Sequence, residues 1–323
     1  MITPLSLALS YTLDWLVGDP LWLPHPVRWM GRMIQSGERL LRTFAQTPRS
    51  EFVAGLILSV TVVGVFSAGS WTLLHWLRDW NQTFAWAISV YLAASTLATR
   101  SLLDEARAVG SFLFNGELVA ARQQVARIVG RDTDNLDEAE VTRAAIETLA
   151  ESASDGVVAP MFYLTIGGVP AALAYKAINT LDSMIGHRGR PYEFFGKCAA
   201  RLDDVASFIP ARVTALLIVC AAWTVHLDWR GAQRIMRRDG VKHKSPNAGH
   251  PEAAMAGALG VRLGGRNFYD GEARDGPYLG DAHNSLDRQA LRDALRLTAG
   301  ASLLMFLLCL SGLLAVRLCK GTL

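Results

Sequence analysis

Three carboxylates in the middle of the chain are spaced for one face of a helix. Glu147, Glu151 and Asp155 follow one another at intervals of four residues, which places their side chains on the same side of an α-helix. Like charges at this spacing repel one another, so a bound cation would account for the stripe. Mg²⁺ takes carboxylate oxygens, usually together with substrate phosphates. We therefore take Glu151 and Asp155 as a candidate magnesium site, with an exposed acidic helix end as the alternative.

A second set of polar residues lies in and beside two apolar runs. Lys176 and Asn179 share one helical face, and a lysine inside an apolar run is a candidate functional residue by default. The alternative is a lysine near a helix end whose ammonium reaches the polar surface along its alkyl chain. Asp203 and Asp204 enter the next run, and Arg212 follows. An arginine there is suited to a salt bridge with Asp204 or to a phosphate contact.

Two proline-containing segments also carry basic or imidazole side chains. Three prolines in residues 18–31 stiffen the backbone around His25 and Arg28, although the segment is equally suited to a structural elbow at a membrane surface. Residues 242–252 place basic side chains before a Ser-Pro-Asn turn, which would suit an anion. The small residues of 253–265 would allow close approach of another helix or of a flat ligand.

The composition indicates which elements position these groups. Of 323 residues, 51% are hydrophobic and 19% are charged, against roughly 25% charged residues in soluble proteins. A helix needs about 20 apolar residues to cross a bilayer. Four uncharged runs have that length, and they are residues 52–77, 82–99, 156–175 and 297–316.

Two weaker apolar runs complete the predicted membrane region. Residues 205–227 are interrupted by Pro210 and Arg212, and residues 1–17 are short and contain Asp14. The sequence therefore predicts an all-α fold, a polytopic membrane helical bundle with about four to six hydrophobic segments, some of them broken or re-entrant.

The polar stretches between the runs are predicted to be helical loops of one membrane-embedded domain spanning residues 1–323. Within them, Asn135 is expected to cap a helix with Glu138 as its capping-box partner. The first, second and fourth stretches hold more Lys and Arg than the third, which favours a cytoplasmic position for them. The four stretches are residues 18–51, 101–155, 182–204 and 228–296.

Whether two of the apolar runs cross the membrane decides on which side of it the motif-bearing stretches lie. If residues 156–175 and 205–227 both crossed the membrane, the stretch 182–204 would lie opposite the other motif-bearing stretches. Both runs contain prolines, glycines or charged residues, and broken helices are tolerated where they are buried in protein or line a cavity. We therefore expect these two runs to form a re-entrant or deeply buried, broken pair around the active site.

Several classes of function are disfavoured. The formal net charge is +3, from 32 basic and 29 acidic residues, which is too even to indicate a nucleic-acid partner. The sequence contains no Walker A, Rossmann or zinc-protease motif.

Five motifs follow one another along the chain. They are Gly-Asp-Pro…Leu-Pro-His-Pro-Val at 18–27, Glu…Asp-Gly-Val-Val-Ala-Pro at 151–160, Lys-Ala-Ile-Asn-Thr-Leu-Asp-Ser-Met-Ile-Gly at 176–186, Ala-Arg-Leu-Asp-Asp…Ile-Pro-Ala-Arg at 200–212 and Ser-Pro-Asn-Ala-Gly…Ala-Ala-Met-Ala-Gly-Ala-Leu at 245–259. Together, from about residue 14 to about residue 270, the chain resembles the CobD/CbiB family of cobalamin biosynthesis. Ser152 and His250 stand where that family commonly has an asparagine and an aromatic residue.

The resemblance implies a multi-pass enzyme of the inner (cytoplasmic) membrane with a cytoplasmic active site. It implies a carbon–nitrogen ligase of the adenosylcobinamide-phosphate synthase type, using ATP and Mg²⁺. The corrinoid substrate would be adenosylcobyric acid, joined to (R)-1-amino-2-propanol or its O-phosphate. Membrane lipid and other membrane enzymes of cobalamin biosynthesis are the further expected partners, and nucleic acid is not expected.

The resemblance also suggests roles for individual residues. Asp203, Asp204 and Lys176 are candidate catalytic residues, and either aspartate could deprotonate the amine. Glu151 and Asp155 remain the candidate ligands of Mg²⁺. The candidates for binding substrate and phosphate are His25, Arg28, Asn179, Asp182, Arg188, Arg201, Arg212, Lys244, Asn247 and His250.

Two other functions stay open at this stage. A membrane transporter for a corrinoid or another anion would also suit broken helices with intramembrane charges. A non-catalytic membrane scaffold for cobalamin-biosynthesis enzymes is the second alternative. Turnover by the purified protein separates the ligase from both.

Overall fold

The computed structural model describes residues 2–20, 22–187, 189 and 191–321. These residues form mostly α-helices, together with one π-helical turn and one two-stranded sheet. In chain order the elements are α1 (Pro4–Val17), α2 (Pro26–Arg42), α3 (Pro48–Trp80), α4 (Gln82–Ala94), α5 (Thr99–Phe114), α6 (Leu118–Ala126), α7 (Glu138–Ala153), the π-turn (Ser154–Val158), α8 (Ala159–Ile185), α9 (Lys197–Ala206), α10 (Phe208–Thr224), α11 (Trp229–Asp239), α12 (Gly249–Leu259), β1 (Leu263–Tyr269), β2 (Glu272–Leu279) and α13 (Arg288–Gly321).

Within the described residues, three helical stretches are long and apolar enough to cross a membrane. They are Pro48–Trp80, Glu138–Ile185 and Arg288–Cys319. At 1.5 Å per residue the 33 residues of α3 extend for about 50 Å. Helices α9 and α10 meet the same criterion only as a bent pair. The predicted apolar runs at 52–77, 156–175 and 297–316 are therefore confirmed as candidate spans, and the run at 205–227 lies in the broken pair.

The predicted run at 82–99 is wrong as a continuous helix. Helix α4 ends at Ala94 after 13 residues, or about 20 Å, against the roughly 30 Å of a bilayer core. The hydroxyl of Ser95 donates to the carbonyl of Leu92 at 2.9 Å, and that of Thr96 donates to the carbonyl of Ala93 at 2.7 Å. These side-chain bonds compete with continued helix and end it, and α5 begins at Thr99.

One of two compact units contains residues 1–98, 159–207 and 308–323. Helix α3 packs against α2, α4, α8 and α9 in this unit, and α1 packs against α4. Close approach requires Gly55 of α3, because a Cβ there would lie 1.8 Å from the carbonyl oxygen of Phe195. Much of α3 is nevertheless left without protein contact, since only 28% of its apolar window is buried. Such a surface is typical of a helix that faces lipid.

The other unit contains residues 99–158 and 208–307. Its centre is α12, which packs against α7, α10 and α11 and is buried almost throughout. The crossing with α11 depends on two glycines, because a Cβ on Gly257 would lie 2.4 Å from the carbonyl oxygen of Gly231. Of the two partners predicted for this small-residue run, the structure places another helix there.

Helix α8 is broken in the middle of its apolar run, as the sequence predicts. Gly168 has φ 69° and ψ −160°, outside the helical region, and Pro170 follows inside the helix. Proline lacks an amide hydrogen and its ring clashes with the preceding turn, so the helix kinks here. The π-turn is a second irregularity, before α8 begins. The stretch Glu138–Ile185 is 56% buried in its apolar window, against 28% for Arg288–Cys319.

The all-α prediction is confirmed with one addition, a hairpin of strands β1 and β2. The strands pair antiparallel, with Tyr269 opposite Glu272. Asp270 and Gly271 form the turn with φ values of 51° and 79°, the left-handed conformation favoured by tight hairpins with an Asp-Gly sequence. The Asp-Gly pair was the sequence signal for this hairpin.

The predicted cap of α7 is displaced by two residues. Asp137, and not Asn135, is the N-cap, and its carboxylate accepts a hydrogen bond from the backbone N–H of Glu140 at 2.8 Å. The carboxylate of Glu140 in turn accepts from the N–H of Asp137 at 3.2 Å. The capping chemistry is the predicted one, but an aspartate at the N-cap adds a favourable interaction with the helix dipole.

Candidate functional site

A hydrogen-bonded carboxylate lies where α8 meets α9. Asp203 Oδ1 accepts from the amide of Asn179 at 3.5 Å, and Asp203 Oδ2 accepts from the hydroxyl of Ser207 at 3.3 Å. The hydroxyls of Ser207 and Tyr175 are 3.1 Å apart. Asp182 is close enough to act on Asp203 electrostatically. These five residues are called the Asp203 cluster below.

Helical spacing explains how the Asp203 cluster forms. Asn179 and Asp182 are three residues apart on α8, and Asp203 is four residues before Ser207, which ends α9. Side chains at these spacings project from the same face. Asp203 is half-buried, and the hydrogen bonds from Asn179 and Ser207 orient its carboxylate. Such a group can accept a proton from a bound amine.

Three neighbouring candidates differ from Asp203 in their surroundings. The guanidinium of Arg201 lies 3.7 Å from Asp204 Oδ2, and 77% of the Arg201 side chain is exposed. Asp204 is therefore paired with a positive charge at the surface, whereas the hydrogen bonds to Asp203 come from neutral groups. Lys176 is half-buried on α8, one turn before Thr180, whose hydroxyl donates to its carbonyl at 2.6 Å. Arg188 lies outside the described residues.

The second group of predicted residues surrounds Arg212 in the other unit. Arg212 Nη1 donates to the carbonyl of Phe208 at 2.7 Å and to Asn247 Oδ1 at 3.4 Å. The guanidinium carbon lies 3.5 Å from the centre of the Phe208 ring. Burial lowers the pKa of His250, and the positive charge of Arg212 lowers it further. Arg212, Asn247 and His250, called the Arg212 group below, thus combine a guanidinium with an imidazole whose protonated form is disfavoured.

The turn that carries Asn247 is ordered by its own side chains. Ser245 Oγ accepts from the N–H groups of Asn247 at 3.2 Å and Ala248 at 3.3 Å. His243 Nδ1 accepts from the N–H of Ser245 at 3.0 Å. Lys244 donates to the carbonyl of Asp275 on β2 at 2.9 Å, so this ammonium contacts the hairpin. Hydroxyl and imidazole bonds of this kind hold Ser-Pro-Asn turns in one conformation.

His25 and Arg28 are engaged within their own segment. His25 is the N-cap of α2, and its Nε2 lies 3.0 Å from Asp19 Oδ1. Arg28 donates to the carbonyls of Pro20 at 3.1 Å and Leu23 at 2.7 Å. These contacts favour the structural elbow. The assignment of His25 and Arg28 as substrate ligands stays a prediction.

Within the acidic stripe of α7, Glu147 has contacts of its own. Arg131 donates to Glu147 Oε2, and Arg143 Nη1 lies 3.3 Å from Glu147 Oε1. The backbone N–H of Gly264 also donates to Oε1, at 2.7 Å. Arg143 bonds the carbonyl of Gly264 at 2.6 Å and Asn267 Oδ1 at 3.1 Å. Glu147 therefore anchors the hairpin to α7, and this role could not be read from its spacing.

A carboxyl that the sequence analysis missed lies beside this stripe. Glu252 of α12 is 6% exposed. Burial raises its pKa well above the ordinary value, the carboxylates of Glu147 and Glu151 raise it further, and Arg131 opposes them. The only sequence signal was an acidic residue among small ones in residues 251–260.

The described part of the chain has no group of three or more His, Cys, Asp or Glu side chains arranged to hold a metal ion. Mg²⁺ needs fewer protein ligands when phosphate oxygens complete its coordination, often one or two carboxylates. Glu151 is exposed on α7, and Asp155 is half-buried in the π-turn. Beside Asp155 the Ser154 hydroxyl is buried and has no hydrogen-bond partner among the described residues. These hard oxygen donors fit a metal that arrives with a phosphate ligand.

Comparison with known proteins gives the same family throughout. The model of the CobD/Cbib protein family matches residues 7–298. Cobalamin biosynthesis protein CobD of Geobacter metallireducens is 47% identical over 296 residues, 92% of either chain. The CobD protein of Photorhabdus laumondii is 45% identical over 277 residues, covering 86% of this chain and 87% of the relative. Cobalamin biosynthesis protein CbiB of Salmonella typhimurium is 41% identical over 303 residues, covering 94% and 95%. No solved structure matches the chain.

Proposed function

Because the chain belongs to the CobD/Cbib protein family, we propose that its role in cobalamin biosynthesis is an ATP-dependent amide ligation. A propionate carboxylate of adenosylcobyric acid is joined to the amine of (R)-1-amino-2-propanol or its O-phosphate. The product is adenosylcobinamide or its phosphate. The main structural support is the Asp203 cluster, in which neutral side chains orient a carboxylate that can take the amine proton.

The first chemical step activates the corrinoid carboxylate. A carboxylate oxygen attacks the γ-phosphorus of ATP, and the bond from this phosphorus to the bridging oxygen breaks with its electron pair on ADP. The product is an acyl phosphate, which is a much better electrophile than a carboxylate. The Arg212 group supports this step, because a guanidinium offers paired donors to phosphate oxygens. Arg201 and Lys244 are further candidate contacts for phosphate.

The second step forms the amide. The amine nitrogen attacks the acyl carbon, and the bond from this carbon to the phosphate oxygen breaks, releasing inorganic phosphate. The nitrogen loses a proton, which Asp203 accepts. Asn179 and Ser207 hold the Asp203 oxygens in place during this transfer. We assign this role to Asp203, because the carboxylate of Asp204 is engaged with Arg201.

Glu151 and Asp155 would hold Mg²⁺ together with the phosphates of ATP. The bound metal would offset negative charge on the transferred phosphoryl group. Glu151 and Asp155 would supply carboxylate oxygens from positions one helical turn apart. Replacing Asp155 with alanine tests this assignment, since an enzyme that keeps its activity and its Mg²⁺ dependence would remove Asp155 from the metal site.

We also propose a multi-pass position in the cytoplasmic membrane with the active site on the cytoplasmic side. The apolar helices support the membrane part, and the basic residues of the polar stretches support the orientation. An Arg190→Cys variant in a cysteine-free background tests it with a membrane-impermeant thiol reagent. Reaction in inverted vesicles alone is the expected result, and reaction in intact cells alone would refute the orientation.

Turnover by the purified protein tests the ligation itself. The protein in detergent is incubated with adenosylcobyric acid, aminopropanol phosphate, ATP and Mg²⁺, and the corrinoid is followed by mass. A product with matching ADP release supports the proposal, and parallel reactions with aminopropanol identify the preferred amine. A product without ATP would refute the activation step. Tight corrinoid binding without turnover would favour a transporter, to which the break in α8 at Gly168 is also suited.

A further inference from the structure

A groove of about 460 Å³ lies between α5 and the beginning of α13. Four arginines line it, namely Arg107 from α5 and Arg288, Arg292 and Arg296 from α13. The α13 arginines recur every four residues and share one helix face. Aligned positive charges destabilise a helix by repulsion. An anion in the groove would relieve this repulsion.

The arginines are held by contacts that an anion could replace. Arg107 pairs with Asp104 at 2.7 Å and Arg296 with Asp293 at 3.0 Å, and the two arginine side chains are 49% and 59% exposed. Surface ion pairs of this kind contribute little stability. Arg292 Nη1 donates to the side-chain oxygen of Gln289, at 3.3 Å. Among the described residues, the four arginines form salt bridges with two carboxylates, those of Asp104 and Asp293, so the groove has a net positive charge.

The groove also has an apolar wall, which a purely ionic ligand would not require. Its apolar residues include Leu291, Leu295 and Ala299 on α13 and Phe114 on α5. Phe114 is 68% exposed, and the guanidinium carbon of Arg288 lies 5.2 Å from the centre of its ring. A ligand that fits this surface has an anionic group joined to a hydrocarbon chain.

The position of the groove along α13 specifies that ligand further. The uncharged run at residues 297–316 begins directly after Arg296. Its 20 residues extend for about 30 Å in a helix, the thickness of a bilayer core. The arginines therefore lie at the level of the lipid headgroups, where basic pockets beside membrane helices bind anionic lipid.

We propose that this groove is a binding site for one anionic phospholipid, with the phosphate at Arg292 and Arg296 and an acyl chain along Leu295 and Ala299. This site is separate from the residues assigned to ligation, so the two proposals can fail independently.

Lipid binding can be measured directly on the full chain. The delipidated protein in neutral detergent is titrated with phosphatidylglycerol, phosphatidylcholine or water-soluble tripolyphosphate, and adducts are counted by native mass spectrometry. We expect one phosphatidylglycerol to be retained in preference to phosphatidylcholine. The double variant Arg292→Gln, Arg296→Gln should bind it at least about tenfold more weakly, since each arginine near an anionic surface contributes on the order of a factor of five.

Two further variants control for charge and for folding. Arg317→Gln removes an exposed arginine at the other end of the same apolar run and should leave the binding unchanged. Arg292→Lys, Arg296→Lys keeps the charge and should restore most of the affinity. Equal retention of phosphatidylcholine, unchanged binding by the glutamine variant, or binding of tripolyphosphate without phosphatidylglycerol would each overturn the proposal.

Discussion

The Asp203 cluster and the surroundings of Glu147 have similar sequence patterns but different partners. In both, several acidic side chains lie in or beside an apolar segment. Asp203 accepts hydrogen bonds from an amide and a hydroxyl. Glu147 accepts from the guanidiniums of Arg131 and Arg143 and from one backbone N–H.

This difference separates a carboxylate suited to chemistry from one that holds the structure. Removing a buried carboxylate that lies between two arginines would leave two buried cations. A carboxylate with neutral partners can gain or lose a proton without breaking an ion pair. The type of partner, and not the spacing of the acidic residues, therefore distinguishes the two sites.

The largest expected effect is on catalysis. Asp203→Asn preserves the size of the side chain but removes the base, so kcat for ligation should fall by about 10²- to 10⁴-fold. Steady-state corrinoid turnover in detergent measures it, and the apparent Tm should change little. The matched control is Asp204→Asn, for which we expect less than about a tenfold loss. Equal losses in the two variants would contradict the distinction between these aspartates.

The second effect is on stability. Glu147→Gln leaves Arg131 and Arg143 without a carboxylate, which should lower the free energy of unfolding by about 3–5 kcal/mol. The readouts are the thermal unfolding of the detergent-solubilised protein and the rate of tryptic cleavage in the hairpin at Arg274. Glu138→Gln, an exposed substitution in the same helix, is the control. Unchanged stability and cleavage in the Glu147 variant would show that this carboxylate does not anchor the hairpin.

A third expected effect is a dependence of stability on pH. The folded protein raises the pKa of Glu252 above its ordinary value of 4.5, so the stability linked to this carboxyl is complete below that pH. It is lost as the pH rises through the folded pKa, because the buried group must then ionise beside Glu147 and Glu151. Glu252→Gln should therefore weaken the alkaline loss of Tm. A variant with the wild-type pH profile of Tm would rule out this carboxyl as the source.

The smallest effect is expected at the exposed ion pair. Arg201→Gln should change the free energy of unfolding by less than about 1 kcal/mol, because its contact with Asp204 is at the surface. If Arg201 also contacts phosphate, the KM for ATP should rise while kcat stays near the wild-type value. The Arg201→Lys variant keeps the positive charge but loses the planar guanidinium, so it shows which of the two affects the KM for ATP. A large loss of stability in the Arg201→Gln variant would contradict this, and would show that the Arg201–Asp204 pair stabilises the fold as Glu147 is expected to.

Local sequence patterns predicted several elements because their determinants lie within one helix. The uncharged runs at 52–77 and 297–316 predicted α3 and α13, and Gly168 with Pro170 predicted the break in α8. The hairpin was not predicted, although its Asp-Gly turn is a local signal of the same kind. The sequence was less decisive where two nearby residues could both cap the same helix, since Asp137 caps α7 where Asn135 was expected.

The sequence by itself determined the long apolar helices, the family and a list of candidate polar residues, because periodicity, apolar length and ordered motifs are local properties of the chain. Only the tertiary structure decided which carboxylate is paired with arginines and which accepts hydrogen bonds from neutral side chains. Gly264 lies 117 residues from Glu147, and Asp203 lies 24 residues from Asn179. Hydrogen bonds and ion pairs depend on distance in space, and helix packing determines that distance.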